Sequence, residues 1–333
     1  MRIAIDAMGG DHAPQVVVEG ALLAAAEWSD VQLVLVGDQP RMEQLLAGRR
    51  LPANVTLHHA ADAIGPEEEP VKAVRRKKDA SMVVAGRLVR EGQADAMISA
   101  GNTGALMTTG LLIVGRIPGI ERPALAPMLP TMDGKGVLAL DLGANMDATP
   151  DNLLQYAIMG SVYRRQVHGI AKPRIALLNV GSEAMKGNEL TKHAYPLLEQ
   201  APIQFIGNVE ARDVLNADCD VIVCDGFVGN ILLKAMEGTA GAIFSALKSE
   251  FTRSTLSKLA AAILKPGLSR FKKKLDYSEH GAAPLLGING LVLKSHGSSD
   301  AKAIKNGVRQ ARIAISNHLV QMIATEISGK KEE

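Results

Sequence analysis

Aromatic residues are scarce in this sequence of 333 residues, and their scarcity limits how a core can be built. Phe, Trp and Tyr make up only 3% of the chain, whereas apolar residues together reach 47%. The core must therefore consist of Ala, Val, Ile, Leu and Met, in an amount that suffices for one large domain or two ordinary ones. A broad basic excess is missing too, because the net charge is only +2. A general nucleic-acid binder usually shows such an excess, so we expect no nucleic-acid partner.

Cysteine is nearly absent, and its two copies, Cys219 and Cys224, lie together in CDVIVCDG. The apolar run between them predicts a strand, in which five residues span roughly 16 Å and place the two side chains on opposite faces. A disulfide is excluded at that separation. We therefore expect a reducing compartment and two thiols that pack as small hydrophobes. Neither the cysteines nor the eight histidines show metal-ligand spacing, so we expect no metal.

Long apolar runs are missing as well. The N-terminus, MRIAIDAMGGD, reaches the charged Asp6 after a very short apolar run, which is not typical of a signal peptide. A run of 18 apolar residues, as a membrane-spanning helix requires, does not occur in the sequence. These absences predict a cytoplasmic protein, which can still associate with a membrane surface.

Several familiar catalytic motifs do not occur. The sequence contains no GxGxxG dinucleotide fingerprint, no GxSxG nucleophile elbow and no HExxH zinc motif. The GKG at 134–136 is followed by Val137, so it is not the phosphate-binding P-loop either. Oxidoreductase and NTPase activities are therefore disfavoured, and we expect no cofactor.

Short apolar runs recur along the chain, and most are separated by segments with helical spacing. This alternation predicts βα units and an α/β fold with a mainly parallel sheet. Ligands of such sheets bind beyond the carboxyl ends of the strands. Polar residues stand at those predicted ends: Asp6, Asn102, Asp141, Asn145, Asn179, Asp225 and Asn230. Each of them can instead cap a helix or form a turn, but as a set they favour one shared crevice.

Two glycine-containing turns precede apolar helical runs, namely GNTG at 101–104 and DGFVGN at 225–230. A helix N-terminus carries unsatisfied N–H groups, and glycine lets an anion approach them closely. The turns therefore predict a phosphate-like ligand, although glycine and asparagine also serve ordinary turns.

Six motifs spread over the chain carry a resemblance to one family. They are IDAMGGD (5–11), SAGNTGA (99–105), LDLGAN (140–145), NVGSEAMKGNE (179–189), CDGFVGN (224–230) and PLLGINGLVLKSHGSS (284–299). The chain resembles the bacterial phosphate acyltransferases of phospholipid synthesis, departing only at Val180 and Ala211. The resemblance implies transfer of an acyl group from acyl-acyl-carrier-protein to inorganic phosphate. It also implies a three-layer α/β/α sandwich, similar to the isopropylmalate-dehydrogenase and phosphotransacetylase group, that forms a homodimer.

On this interpretation phosphate is the nucleophile, so the site has to hold an anion against a thioester and stabilise an oxyanion. We expect Lys186, Lys294 and His296 to supply charge or protons, with Asp225 orienting them. Lys186 could instead be a solvated loop lysine, and His296 a structural donor. The expected substrate-binding residues are Asp6, Gly101, Asn102, Thr103, Asn145, Asn188, Gly229 and Asn230. The alternatives are a phosphotransacetylase-like enzyme that uses acyl-CoA and a non-catalytic membrane-associated scaffold.

Four consecutive cations, Arg75, Arg76, Lys77 and Lys78, lie in VKAVRRKKDASM. They either form a solvated helix face or attract the acidic carrier protein, and the sequence leaves both interpretations open.

The segment 248–274 carries eight Lys or Arg and one Glu, a formal charge of +7 that leaves −5 on the rest of the chain. Its apolar residues follow helical spacing: Leu256, Leu259, Ile263, Leu264, Leu268, Phe271 and Leu275. We expect one α/β domain over residues 1–333 with an amphipathic helical hairpin, residues 248–275, that protrudes from it and bends at Pro266–Gly267. The hairpin either anchors the protein to the anionic inner face of the membrane or packs at a dimer interface. A further expected partner is the downstream glycerol-3-phosphate acyltransferase, which would consume the product.

Overall fold

The fold is described from a computed structural model, which covers residues 1–216, 218–274 and 281–329, with only the backbone described at residues 269 and 272–274. The strands are β1 (Arg2–Asp6), β2 (Gln32–Gly37), β3 (Val55–His59), β4 (Ala96–Ser99), β5 (Ala124–Leu125), β6 (Met128–Leu129), β7 (Val137–Leu140), β8 (Arg174–Asn179), β9 (Gln204–Glu210), β10 (Val221–Val223), β11 (Ala283–Leu286) and β12 (Leu291–Lys294). The helices are α1 (Gln15–Glu27), α2 (Gln39–Leu45), α3 (Pro70–Arg76), α4 (Ser81–Arg90), α5 (Thr103–Thr109), α6 (Pro150–His168), α7 (Glu189–Gln200), α8 (Gly226–Thr252), α9 (Thr255–Lys274), α10 (Ala301–Ser316) and α11 (Leu319–Ser328). A π-helical turn (Gly110–Val114) continues α5, and a 3₁₀ helix (Ala211–Asn216) follows β9.

The strands form two sheets rather than one. The first has the order β3-β2-β1-β4-β12-β11-β5, and the second has the order β6-β7-β10-β8-β9. The pairings are parallel except at β11–β12, β5–β11 and β6–β7, so the predicted mainly parallel character is confirmed. The short strands β5 and β6 lie at the edges of different sheets and are separated only by residues 126–127, which places the two sheets next to each other.

Helices cover both faces of the first sheet, because successive side chains of a buried strand point to opposite sides. Ile3 and Ile5 pack with α1 and α10, whereas Ala4 between them packs with α4 and α5. The core under α1 and α10 continues beneath α6, α7 and α11 on the second sheet. The three-layer α/β/α arrangement is therefore confirmed. The shared core supports the expectation of a single domain, which stays a prediction.

The longest buried helix, α6, shows how local sequence sets an element's limits. Thr149 caps its N-terminus in a reciprocal capping box with Asn152, and Pro150 occupies the first turn, where a missing N–H costs nothing. Gly169 ends the helix in the left-handed conformation with φ at 69°. This capping holds a helix whose inner face carries Tyr156 and Tyr163, both fully buried.

The arm, formed by α8 and α9, differs from the predicted hairpin in two ways. It begins at residue 226, well before residue 248, and the 27 residues of α8 extend over about 40 Å. The expected division into two short helices at Pro266–Gly267 is also wrong, because α9 continues as a helix through both residues. The two helices meet where Phe244 and Phe271 pack 6.1 Å apart between ring centroids. Leu275, which the prediction included, lies outside the described residues.

Candidate active site

A cleft of about 1000 Å³ opens at the carboxyl ends of strands from both sheets. Its walls come from the loops that follow β1, β4, β7 and β12, together with the first three turns of α8. The predicted crevice at this edge therefore exists. Of the predicted site residues it brings together Gly101, Asn102, Thr103, Asn230, Lys294 and His296.

Three glycine-containing loops pack closely enough to form the floor of the cleft. A Cβ atom on Gly9 would lie 2.7 Å from the backbone nitrogen of Gly101, and one on Gly10 would lie 3.2 Å from the carbonyl oxygen of Gly297. Gly10 also has φ at +108°, which other residues rarely adopt. Gly9 and Gly10 are thus required for close contact between the backbones of these loops, whereas a Cβ on Gly101 or Gly297 would meet the side chain of Met82 or Asp11.

Asp6 lies behind this floor and not in the cleft. Its buried carboxylate accepts hydrogen bonds from the hydroxyls of Ser81 and Ser99, both at 2.6 Å. The Ser99 hydroxyl in turn accepts the N–H of Gly101 at 3.0 Å. Burial raises the pKa of Asp6, and its oxygens are held by protein donors. The structure therefore assigns it to positioning the 99–104 loop, in place of the predicted substrate contact.

Asn102 reaches the cleft, but its side chain has structural partners. The side-chain oxygen accepts the N–H of Ala105 and caps α5, at 3.0 Å. The side-chain nitrogen donates to the carbonyl of Pro66 at 2.9 Å and thereby holds the neighbouring 65–68 loop. What the turn offers to a ligand is instead the backbone N–H groups of Thr103 and Gly104, which precede the first intrahelical bond.

The second glycine turn does not offer free N–H groups, contrary to the prediction. The side chain of Asp225 accepts the N–H groups of Phe227 and Val228, both at 3.0 Å. The N–H of Gly226 donates to the carbonyl of Asn145, and that of Gly229 donates to the carbonyl of Asp225. Asp225 is therefore a helix cap and is not among the residues that line the cleft.

Gly229 is a packing residue, since an added Cβ would lie 2.1 Å from the carbonyl oxygen of Asp141. This close approach brings the first turn of α8 against the loop after β7. Asn230 lines the cleft next to Gly143. A Cβ atom added to Gly143 would lie 3.4 Å from the side-chain oxygen of Asn230.

A buried carboxylate organises the loop after β7. Asp141 accepts the N–H groups of Leu125 and Ala144 at 3.0 Å on one oxygen. On the other it accepts the backbone and side-chain N–H groups of Asn145, at 2.5 and 3.1 Å. Burial outweighs these four donors and raises the pKa of Asp141 to about 6.

The side chain of Asn145 also donates to the carbonyl of Pro123 and to the Tyr156 hydroxyl, at 2.6 and 2.9 Å. Its amide hydrogens are thus held inside the protein. Asn145 supports the loop after β7 and is not among the residues that line the cleft, so the predicted substrate contact is not seen.

Lys294 and His296 form the polar end of the cleft, on one side as their alternation along an extended segment predicted. Burial lowers the pKa of Lys294 from 10.5 to about 8, although Asp11 and Asp6 oppose the shift. Its ammonium group donates to the carbonyls of Ser295 and, at 3.4 Å, Ala100.

Burial, followed by the charge of Lys294, also lowers the pKa of His296. Nδ1 of this histidine accepts the N–H of Ser298 at 3.2 Å and lies 2.7 Å from the Ser298 hydroxyl, contacts that favour the neutral form with its ring proton on Nε2. His296 is thereby arranged as a neutral hydrogen-bond donor.

Lys186 and Asn188 lie apart from this cleft. Asn188 caps α7 by accepting the N–H of Thr191 at 3.0 Å. Lys186 is exposed on the loop after β8, and neither residue is among those that line the cleft. The predicted roles of Lys186 and Asn188 stay predictions, since neither residue lines the cleft.

Sequence reasoning missed several cleft residues. Asp11, Glu68, Lys234 and Glu237 line it, with the last two paired at 2.9 Å. A signal existed on α8, because Asn230, Leu233, Lys234 and Glu237 follow the i, i+3, i+4, i+7 spacing of one helix face. The long apolar wall was missed too, and it is lined by Met107, Leu125, Met128, Leu129, Leu142, Met146 and Leu233.

Lys77, one of the four consecutive cations, has partners inside the protein. Its ammonium group contacts Glu68 at 2.9 Å, Asp62 at 3.3 Å and the carbonyl of Ala63 at 2.9 Å. These contacts raise the pKa of Lys77. They also hold the 65–68 loop, which the side chain of Asn102 contacts as well. The predicted carrier contact is therefore not available to Lys77.

Known proteins resemble the chain over nearly its whole length. A sequence model of a family described as "Fatty acid synthesis protein" matches residues 1–322. A phosphate acyltransferase of Geobacillus thermodenitrificans is 58% identical over 98% of this chain and 99% of the relative. One of Brevibacillus brevis is 57% identical over 97% of this chain and 96% of the relative.

Among solved structures, a phosphotransacetylase from Streptococcus pyogenes superposes with a TM-score of 0.61. It covers 96% of this chain and 94% of its own, at 17% identity. At that identity the likeness concerns the fold alone, and it agrees with the three layers described above.

Proposed function

Since this chain belongs to the phosphate acyltransferase family, we propose that it transfers a fatty acyl group from acyl-acyl-carrier-protein directly to inorganic phosphate. A phosphate oxygen attacks the thioester carbonyl carbon, the C–S bond breaks, and acyl phosphate and the carrier thiol leave. With HPO₄²⁻ as the nucleophile, the phosphate proton ends on the thiol, so charge and atoms balance. The observation that carries the proposal is one cleft that joins a long apolar wall to the buried cation of Lys294.

The apolar wall supplies the site for the acyl chain. Leu125, Met128, Leu129 and Leu142 are each at most 9% exposed, so they form the deep side of the cleft. An alkyl chain gains about 0.8 kcal/mol for every methylene group that leaves water. Methionines 107, 128 and 146 add flexible side chains that adapt to the shape of such a ligand.

The polar end supplies the phosphate and oxyanion contacts. We infer that Lys294 and the N–H groups of Thr103 and Gly104 hold phosphate, and that Nε2–H of His296 donates to the carbonyl oxygen as negative charge develops there. A preorganised donor of this kind contributes about 3 kcal/mol to the transition state. Asn230, on the opposite wall, is a further donor within the cleft.

Lys294 is also suited to the proton transfer. Its pKa of about 8 is close to the roughly 8.5 of a free thiol, so its ammonium group can protonate the departing sulfur and recover a proton from phosphate. His296 is a weaker candidate for this step than the sequence indicated. Its lowered pKa keeps it neutral near pH 7.

The cysteines support direct attack by phosphate. Cys219 and Cys224 are both buried, and burial raises the pKa of each thiol, that of Cys219 to about 12. Nucleophilic attack requires the thiolate, which neither residue can form near neutral pH. An acyl-cysteine intermediate is therefore disfavoured.

The test of this function separates three substrates. Purified protein is incubated with phosphate and palmitoyl-acyl-carrier-protein, palmitoyl-CoA or acetyl-CoA, and acyl phosphate is trapped as the hydroxamate. We expect kcat/KM with palmitoyl-acyl-carrier-protein to be at least 100-fold above that with acetyl-CoA. The palmitoyl chain can pack along the apolar wall of the cleft, whereas the acetyl group is too short to do so. Higher turnover of acetyl-CoA would favour the phosphotransacetylase-like alternative, and no product from any thioester would favour the scaffold.

The arm is proposed to hold the protein at the anionic inner face of the membrane. Leu256, Leu259 and Ile263 are 76%, 63% and 74% exposed along one side of α9, and Leu264 and Phe271 are exposed beside them, with Leu268 half-buried. Within the described residues no helix is long and apolar enough to span a bilayer. An exposed apolar stripe with basic neighbours matches a helix that lies in the headgroup region. Delivery of acyl phosphate there would also bring it to the downstream glycerol-3-phosphate acyltransferase.

A pair of neighbouring substitutions tests this anchor. Ile263→Glu should weaken binding to phosphatidylglycerol vesicles at least tenfold in co-sedimentation, because it places a charge within the apolar stripe. Ala262→Glu adds the same charge at the adjacent exposed position, off the stripe, and should change binding less than threefold. Equal binding of both variants would refute the anchor. Loss of a dimer in Ile263→Glu alone, by sedimentation, would instead show that a second copy covers the stripe.

A further inference from the structure

A second groove, of about 420 Å³, lies where α3, α4 and the π-helical turn meet. Four cations line it: Arg75 on α3, Lys78 after that helix, and Arg87 and Arg90 on α4. The acidic residue in its lining is Glu91. Local positive charge is thus concentrated here, on a chain whose net charge is only +2.

These cations are available for a partner. Within the described part of the chain, Arg75, Lys78 and Arg90 form no ion pair, in contrast to Lys77 beside them. Arg87 donates to the carbonyl of Lys78 at 2.6 Å, which orients its guanidinium along the groove. The groove therefore carries charges that the fold itself does not use.

The floor of this groove is apolar. It consists of Val74 and Val83, which are at most 2% exposed, and Leu112, which is 48% exposed, lines the groove with Ile113 on the π-helical turn. A concave surface with an apolar floor and a basic rim fits a helix whose one face alternates acidic and apolar residues.

The groove is joined to the cleft by one continuous helix. Thr103 lines the cleft at the start of α5, and Leu112 lies nine residues further along the same helical segment. At 1.5 Å per residue the two sites are about 14 Å apart along the helix axis. A protein seated on the groove would be close enough to deliver a tethered acyl group into the cleft.

We propose that this basic groove is the docking surface for an acidic amphipathic helix on the protein that delivers the acyl group. The inference rests on the proposed function, because the carrier protein is the partner that the reaction requires. The proposed surface differs from the run of consecutive cations 75–78, because it is built from two helices and a turn. Arg87, Arg90 and Leu112 are added to it, and Lys77 is not part of it.

The test is the double variant Arg75→Glu/Arg90→Glu, assayed with palmitoyl-acyl-carrier-protein. We expect its KM for the carrier to rise at least tenfold with kcat changed less than twofold, since reversed charges repel an acidic partner without touching the cleft. The wild-type KM should rise with added salt, and that of the variant should not. The control Arg50→Glu reverses one charge, half of the change in the double variant, at an exposed site next to Arg49, which pairs with Glu19 of α1 on the other face of the sheet.

A second variant and a binding measurement make the outcome independent of turnover. Leu112→Ser should weaken the binding of fluorescein-labelled carrier protein at least threefold in anisotropy titrations, with an unchanged melting temperature. Unchanged KM in the double variant, an equal change in Arg50→Glu, or no carrier binding by the wild type would each overturn the docking surface. If the double variant lost binding to phosphatidylglycerol vesicles but kept normal kinetics with the carrier protein, the groove would be a lipid-binding site and the proposal would be overturned. Groove-dependent carrier binding without acyl phosphate formation would contradict only the proposed reaction.

Discussion

Replacing Lys294 with methionine should lower kcat/KM for acyl phosphate formation by roughly 100- to 1000-fold, the usual loss when a preorganised donor is removed from a charge-developing site. The wild-type rate should fall as pH rises through about 8, because the ammonium group then loses its proton. Lys294→Arg is the informative companion, since guanidinium remains charged throughout this range. Whatever activity it retains should lack the alkaline decline. A pH profile identical in both proteins would exclude Lys294 as the titrating group.

The same substitution should stabilise the fold at neutral pH. Below pH 8 or so, Lys294 is protonated in both the folded and the unfolded chain, so the free-energy cost of burying its charge is fully present. Between about 8 and 10.5 the unfolded chain binds the extra proton, so the free energy of unfolding rises with pH and this cost disappears. At about 1.4 kcal/mol per pKa unit, Lys294→Met recovers at most about 3 kcal/mol at pH 7. Urea unfolding at pH 7 and pH 9.5 should show a gain that shrinks at the higher pH.

Replacing Asp141 with alanine should lower the free energy of unfolding by about 4 kcal/mol. The variant leaves the backbone N–H groups of Leu125, Ala144 and Asn145 without their acceptor, and each buried orphan costs about 1 to 3 kcal/mol before water enters. Activity should fall as well, because Gly143 of this loop packs against Asn230. Chemical denaturation and acyl phosphate assays on the same preparation measure both effects.

Asp133→Ala is the matched control for this carboxylate. Asp133 accepts the Thr131 hydroxyl at 2.6 Å and the N–H of Lys135 at 3.0 Å, but its side chain is 53% exposed. Water can replace the carboxylate as acceptor for both donors, so the expected loss in the free energy of unfolding is about 1 kcal/mol or less. Equal destabilisation by the two variants would show that burial of the Asp141 network contributes nothing beyond an ordinary turn.

Much of the fold could be predicted from the sequence, since it depends on local patterns. The apolar run of β1 and the glycines of IDAMGGD are neighbours in the chain, and such neighbours decide where a strand ends and a turn begins. The division into two sheets was not predictable in this way. It depends on β5 and β6, which have two residues each, too few for a periodic signal.

The candidate site was predicted in its position but only partly in its members. Lys294 and His296 lie two residues apart on extended backbone, so their common orientation follows from local geometry. Asn102 and Asn145 were predicted to bind substrate and Asp225 to orient the cations, because asparagine and aspartate suit both ligand sites and helix caps. Their partners decided otherwise, and the carbonyl that Asn102 holds, that of Pro66, comes from a loop 36 residues earlier in the chain.

The sequence by itself determined the alternation of strands and helices, the glycine turns at the sheet edge and the family to which they belong, because each is written in residues that are close in the chain. Only the tertiary structure decided that Lys77 is held by Asp62 and Glu68, that Lys186 stays apart from the cleft, and that Arg75 and Arg90 share one groove. Whether a charged side chain meets a partner or remains available depends on how helices and loops pack across long sequence separations. That packing follows from the burial of the whole core and not from any one segment.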